Sequence, residues 1–166
     1  MSALDQLYQQ VILDHYREKH GHGLRAAAPG QASADSEQYN PLCGDQVHLR
    51  VAVAQGAEGP EVTDVSWDGE GCSISQASTS VLHDLVTGTG VRQAREVVAQ
   101  FRTMIRSRGL VEPDEDVLGD AVAFAGVGRH VGRGKCAMLG WTAFEDALYR
   151  AVPALFDPSA QTEEIR

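Results

Sequence analysis

Apolar residues recur along the chain at two periods. Leu4, Leu7, Val11 and Ile12 fall at helical spacing behind Ser2-Ala3-Leu4-Asp5, a capping box with Asp where Glu is usual. Residues 3 to 18 are therefore expected to form an amphipathic helix. Val47, Leu49, Val51 and Val53 alternate with His48, Arg50 and Ala52, the pattern of a half-buried strand with His48 on its outer face. Gly56 through Pro60 turns the chain, and Val65 and Trp67 mark a second strand running into Asp68-Gly69-Glu70-Gly71. A hairpin is the economical topology, so a small antiparallel sheet is expected.

The helical period returns at Ser73 to Thr87, with Ile74, Ala77, Val81, Leu82 and Leu85 on one face, and places Cys72 at a helix N-terminus. Val91, Ala94, Val97, Val98, Phe101, Met104 and Ile105 predict a third helix near 91 to 107. A short acidic-capped helix is expected from Glu112 to about Ala125, and a last one from about Cys136 to Ala151, stopped by Pro153. Between these, residues 21 to 39 are rich in Gly, Ala, Ser and Gln and read as a loop without a core of its own. His15 lies on the first helix, with His20 and His22 just past its end. No second ligand pattern accompanies them, so they read as a solvated, polar helix end.

No internal repeat or linker divides this pattern. Residues 1–152 are expected to form one α+β domain, a small antiparallel sheet covered by helices, followed by a disordered tail over 153–166. The 166 residues carry a formal charge of −9, which argues against nucleic acid as a partner, since phosphate binding draws on a surplus of Lys and Arg. No apolar run approaches the roughly 20 residues of a membrane span, and no signal peptide is recognisable, so no membrane association is expected.

The candidate chemistry rests on three cysteines, Cys43, Cys72 and Cys136. A disulfide framework needs an even, denser set, and three thiols suit a reducing, cytoplasmic setting better. A tetrahedral metal takes thiolates, imidazoles and carboxylates, and Cys43, Asp45, Cys72 and Cys136 together supply four ligands. The rival reading is three unrelated buried cysteines acting as small hydrophobes. Gly44 allows a turn that brings Cys43 and Asp45 together, while Cys72 and Cys136 are each expected to begin a helix. Three thiolates and a carboxylate leave a zinc site with excess negative charge. Arg129, Arg133 and Lys135, crowding the approach to Cys136, are the candidates to offset it.

Four segments carry a resemblance: Val11-Ile12-Leu13-Asp14-His15-Tyr16, Asn40-Pro41-Leu42-Cys43-Gly44-Asp45, Gly69 through Ser78, and Arg133-Gly134-Lys135-Cys136-Ala137. Together they resemble the SufU branch of the IscU-like iron–sulfur assembly family. Scaffold members carry His directly before the third cysteine, where this chain has Lys135, and a Leu-Pro-Pro-Val-Lys motif that is absent here. Residues 109–131 correspond to the insertion of SufU-type chains. The proline usual after the His-Tyr pair is missing, and residues 27 to 38 look longer than typical.

The resemblance implies a SufE/IscU-like fold and a sulfurtransferase. Such a protein accepts persulfide sulfur from a SufS-like cysteine desulfurase and passes it towards a downstream iron–sulfur assembly scaffold. It implies Zn2+ held by Cys43, Asp45, Cys72 and Cys136, with a desulfurase histidine replacing one cysteine at the metal on docking. Cys43, on a turn, is the expected sulfur acceptor, with Arg133 and Lys135 as charge-stabilising or partner-contacting residues. The alternatives are an IscU-type cluster scaffold, which uses the same thiolates, and a closed structural zinc module.

Overall fold

β2 (Asp45–Gly56) is the spine of the fold, and its residues show why. Val47, Leu49, Val51 and Val53 turn one face into the core and pair across to β3 (Gly59–Glu70), where Val62, Val65 and Trp67 are buried. The register shifts between Ala52 and Val53, where β3 carries the extra residue Thr63, and Ala52 is buried as well. The computed structural model describes residues 2–153 of the chain. The expected tail lies outside the described residues except for Pro153.

The sheet has three antiparallel strands in the order β1-β2-β3, and β1 (Ala32–Asn40) corrects the loop expected over 21 to 39. Its sequence, Ala-Ser-Ala-Asp-Ser-Glu-Gln-Tyr-Asn, has no apolar alternation. The strand forms through its backbone ladder with β2, and its inward positions are small or polar. Ser36, for example, is buried and donates to Asp146 Oδ2 at 2.6 Å.

Helices cover one face. α1 (Ala3–Glu18) carries the expected capping box, with Ser2 and Asp5 bonding reciprocally. Its inward face differs from expectation: Leu4 and Leu7 are exposed, while Tyr8, Val11, Ile12 and Tyr16 pack on the core and His15 is buried. α2 (Ser73–Val86) and α3 (Val91–Arg106) match the sequence pattern closely. The segment expected as one acidic helix breaks into α4 (Glu115–Leu118), capped by Asp114, and two 3-10 turns, Gly119–Phe124 and Val127–Arg129.

α5 (Val131–Ala151) begins five residues before the expected start at Cys136. Glycines stand at 132 and 134 in its first turn. Gly134 packs against Ile105 and the neighbouring Gly128 against the Ile105 backbone, so small residues here let α5 approach α3. α5 lies across β1 and β2 and against α2, with Phe101 stacked on Trp141 at the centre (ring centroids 3.9 Å apart). Among the described residues no helix is long and apolar enough to cross a membrane.

Candidate functional site

The three cysteines arrive at one end of the sheet from three different elements. Residues 41 to 44 form the loop between Asn40 and Asp45, which pair across β1 and β2. The Asn40 side-chain Oδ1 accepts from the Leu42 N–H (3.1 Å) and the Asn40 backbone carbonyl accepts from the Gly44 N–H (2.9 Å), which closes the turn. Gly44 takes φ +73°, a conformation open to glycine at little cost, and so Cys43 projects from the turn beside the first residue of β2. That residue, Asp45, is only 1% exposed.

Cys72 is the N-cap of α2, as expected. Its N–H donates to Asp45 Oδ1 at 2.9 Å, and its thiol lies 3.4 Å from Asp45 Oδ2. Cys136 is buried in the second turn of α5, not at its start. The expected anchoring of Cys136 by a helix N-terminus is therefore replaced by anchoring through burial. Its sulfur sits 3.2 Å from that of Cys43, and Asn40 Nδ2 lies 4.0 Å away.

The ligand atoms of Cys43, Asp45 and Cys136 all lie within 4.8 Å of one another, while Cys72 joins them through Asp45. Four donors around a tetrahedral zinc, at about 2.0–2.3 Å each, stand roughly 3.3–3.8 Å apart. The Cys43–Cys136 and Cys72–Asp45 spacings of 3.2 and 3.4 Å suit that ion, while Cys72 stands outside the group of three. The donor chemistry suits it too. Burial and the neighbouring Asp45 carboxylate push the Cys136 thiol far above its ordinary range. Burial opposes ionisation of Asp45 as well, but hydrogen bonds from Cys136, Cys43 and both the N–H and thiol of Cys72 outweigh it and hold its pKa below 3.8. A buried thiol beside a charged carboxylate ionises readily only when a cation sits between them.

The site opens to solvent through a pocket of about 600 Å³ lined by Leu42, Ser73, Ile74, Gly132 and Arg133 together with Asn40 and the cysteines. Cys43 and Cys72 are exposed at its mouth. The expected cation cluster divides. Arg133 lines this pocket, Lys135 lies along neighbouring grooves with Tyr39, Leu42 and Met138, and Arg129 lies against Gly109. Asn40 was missed as a site residue, although the Asn-Pro pair that starts the turn is a recognisable turn signal.

Three thiols and a buried carboxylate thus converge at one end of the sheet of an α+β protein, a set of donors suited to thiolate chemistry. The chain belongs to the family described as "NifU-like N terminal domain", whose model matches residues 7–137. It is similar to the zinc-dependent sulfurtransferase SufU of Bacillus subtilis (strain 168), 36% identical over 143 residues, covering 86% of this chain and 89% of that one. It is also similar to the iron–sulfur cluster assembly scaffold protein IscU of Streptococcus pyogenes serotype M1, 33% identical over 154 residues and covering 93% and 90%.

Among solved structures, it resembles the Fervidobacterium islandicum AW-1 protein described as an iron–sulfur cluster assembly scaffold for the SUF system. That match has a TM-score of 0.69 at 31% identity, covering 86% of this chain and 97% of that one. The NifU-like N-terminal protein of Brucella abortus, at TM-score 0.74 and 22% identity over 92% and 99% of the two chains, supports the fold alone. The fold is thus the α+β, IscU-like one that the sequence predicted.

Proposed function

We propose that this chain is a zinc-dependent sulfurtransferase of iron–sulfur cluster assembly that accepts persulfide sulfur from a cysteine desulfurase on Cys43 and passes it to an assembly scaffold. The observation that carries this reading is the pairing of a thiol exposed on a turn, Cys43, with a buried partner thiol 3.2 Å away on Cys136. One sulfur can meet a large partner while its neighbours stay fixed.

Cys43, Asp45, Cys72 and Cys136 are the residues that would hold zinc, which would keep the three cysteine thiols ionised at neutral pH. The rest falls to the chain's own side chains. Asp45, buried and bonded to the Cys72 N–H, holds the β1–β2 turn against the start of α2. The Cys43 thiolate attacks the outer sulfur of the partner's persulfide. A new S–S bond forms on Cys43, the old one breaks, and its electron pair leaves with the partner's thiolate, so no external oxidant or reductant is needed. Arg133 offsets negative charge from the pocket wall. Lys135 flanks Leu42, which is 73% exposed, on the surface where the partner docks.

The scaffold reading draws on the likeness to the streptococcal scaffold protein, and it predicts iron, sulfide and visible colour in aerobically purified protein. Lys135 favours the transferase reading, because it stands where scaffold members carry histidine. The test is peptide mass spectrometry after incubation with a cysteine desulfurase and cysteine. An added sulfur is expected on the Cys43 peptide, with those of Cys72 and Cys136 unmodified, and Cys43→Ser should abolish uptake. Sulfur on the Cys136 peptide with Cys43 unmodified would overturn the assignment of the acceptor.

A further inference from the structure

His15, His20 and Asp84 form a second cluster of ligand-type side chains, away from the cysteines. One ring nitrogen of each histidine and one Asp84 oxygen all lie within 4.8 Å of one another. The sequence suggested a solvated helix end, but His15 is 5% exposed and the two imidazoles meet edge to face with centroids 5.0 Å apart. Lys19 makes this possible. It caps α1 in the left-handed conformation (φ 47°, ψ 61°), unusual for a residue with a side chain, and folds His20 back over α2.

Each side chain has the partner expected of a metal ligand. His15 Nε2 lies 3.0 Å from Asp120 Oδ2, and its other nitrogen is 2.8 Å from Ser80 Oγ in the buried interior. His20 Nδ1 lies 2.6 Å from Asp84 Oδ2, and its Nε2 is held by Glu18 at 2.7 Å. Thus His20 faces the cluster carboxylate Asp84 and is fixed from outside by Glu18, while Ser80 and Asp120, outside the group of three, hold the two nitrogens of His15. That is the arrangement by which proteins orient ligating imidazoles.

We infer that His15, His20 and Asp84 form a binding site for a first-row divalent transition cation, with Asp120, Ser80 and Glu18 orienting the two imidazoles. Two imidazoles and one carboxylate suit zinc, cobalt, nickel or copper better than calcium or magnesium. Asp84 on the ion, with Asp120 and Glu18 each one imidazole away, offsets the charge of a divalent ion. Binding displaces the proton on the His20 nitrogen that faces Asp84 and releases it to solvent. Asp84, His20 and Asp120 are partly open to water, so the ion enters from outside against the buried His15. The site ties the C-terminal end of α1 to α2 and to the 3-10 turn Gly119–Phe124, and so clips the segment after α3 onto the body of the fold.

The test titrates the whole chain with cobalt(II) and measures retained metal after gel filtration. Cobalt on thiolates gives an intense near-ultraviolet charge-transfer band, whereas cobalt on nitrogen and oxygen gives only weak visible bands. His20→Ala and Asp84→Asn should each lose one equivalent of cobalt relative to the unaltered chain while the near-ultraviolet band is unchanged, which also shows that the fold is retained. Glu18→Ala should weaken that equivalent by about 10–100-fold. Equal cobalt content in the unaltered chain and both site variants would overturn the inference, and so would a loss that removes the near-ultraviolet band with it.

Discussion

Asp45 does three things with one carboxylate. It accepts the Cys72 N–H, it faces three thiols, and at 1% exposure it does so away from water. Asp45→Ala should therefore cost about 1–3 kcal/mol, the penalty for leaving a buried N–H without its acceptor, and should also lower retained zinc. Asp45→Asn keeps an acceptor and should recover much of the stability but little of the zinc. Urea unfolding and metal analysis of the two variants separate the roles; equal zinc in all three proteins would reduce Asp45 to a structural residue. The sequence pointed to Asp45 because it stands two residues from Cys43 across a glycine. The Asn-Pro pair signals the turn that Asn40 closes through Leu42 and Gly44, but nothing in the sequence pointed to Asn40 reaching Cys136 or to His15 being buried, because those contacts join residues far apart in the chain.

At the scale of elements, the relation between α2 and α5 matters most, since these helices carry Cys72 and Cys136. Ser78 on α2 joins them. Its hydroxyl donates to the Ala137 carbonyl (2.7 Å) and accepts from Trp141 Nε1 (2.8 Å), all of it buried. Ser78→Ala should destabilise the chain by about 1–3 kcal/mol by stranding the indole N–H, read as a lower urea midpoint with an unchanged slope. A midpoint equal to the parent's would show that the packing of Trp141 on Phe101 suffices to hold the two helices. The element boundaries that sequence periodicity located well are those of α2 and α3, whose apolar stripes face the core, whereas α1 was marked by its capping box and only half of its predicted stripe turns inward. β1 was missed because its inward residues are small or polar, and α5 was started late because its glycines serve close packing as well as turns.

For the whole molecule, ion pairs on the outer face of the sheet set the response to acid. Arg50, and to a lesser degree His48, hold the Asp35 carboxyl below 3.8, and Arg25 does the same for Asp64. A depressed folded pKa contributes stability that is full above the unfolded value and is lost as pH falls through the folded one. Melting temperature should accordingly fall as pH drops below about 4. The double variant Arg25→Ala/Arg50→Ala should melt lower than the parent near about pH 6 and converge on it near about pH 2. Parallel curves for the two proteins would show that these pairs contribute nothing to the acid limb.

Sequence alone determined the helical and strand periods, the antiparallel hairpin and the identity of the four candidate ligands. These rest on local spacing and on the small set of side chains able to bind a soft divalent cation. Tertiary structure decided the rest. It brought Cys43 within 3.2 Å of Cys136, 93 residues later, made one of them exposed and the other buried, and assigned Arg133 but not Lys135 to the pocket. It also recruited a polar strand to the sheet edge and gathered His15, His20, Asp84 and Asp120 from three elements. Such contacts join residues far apart in sequence through backbone pairing and helix packing, and no periodicity along the chain encodes them.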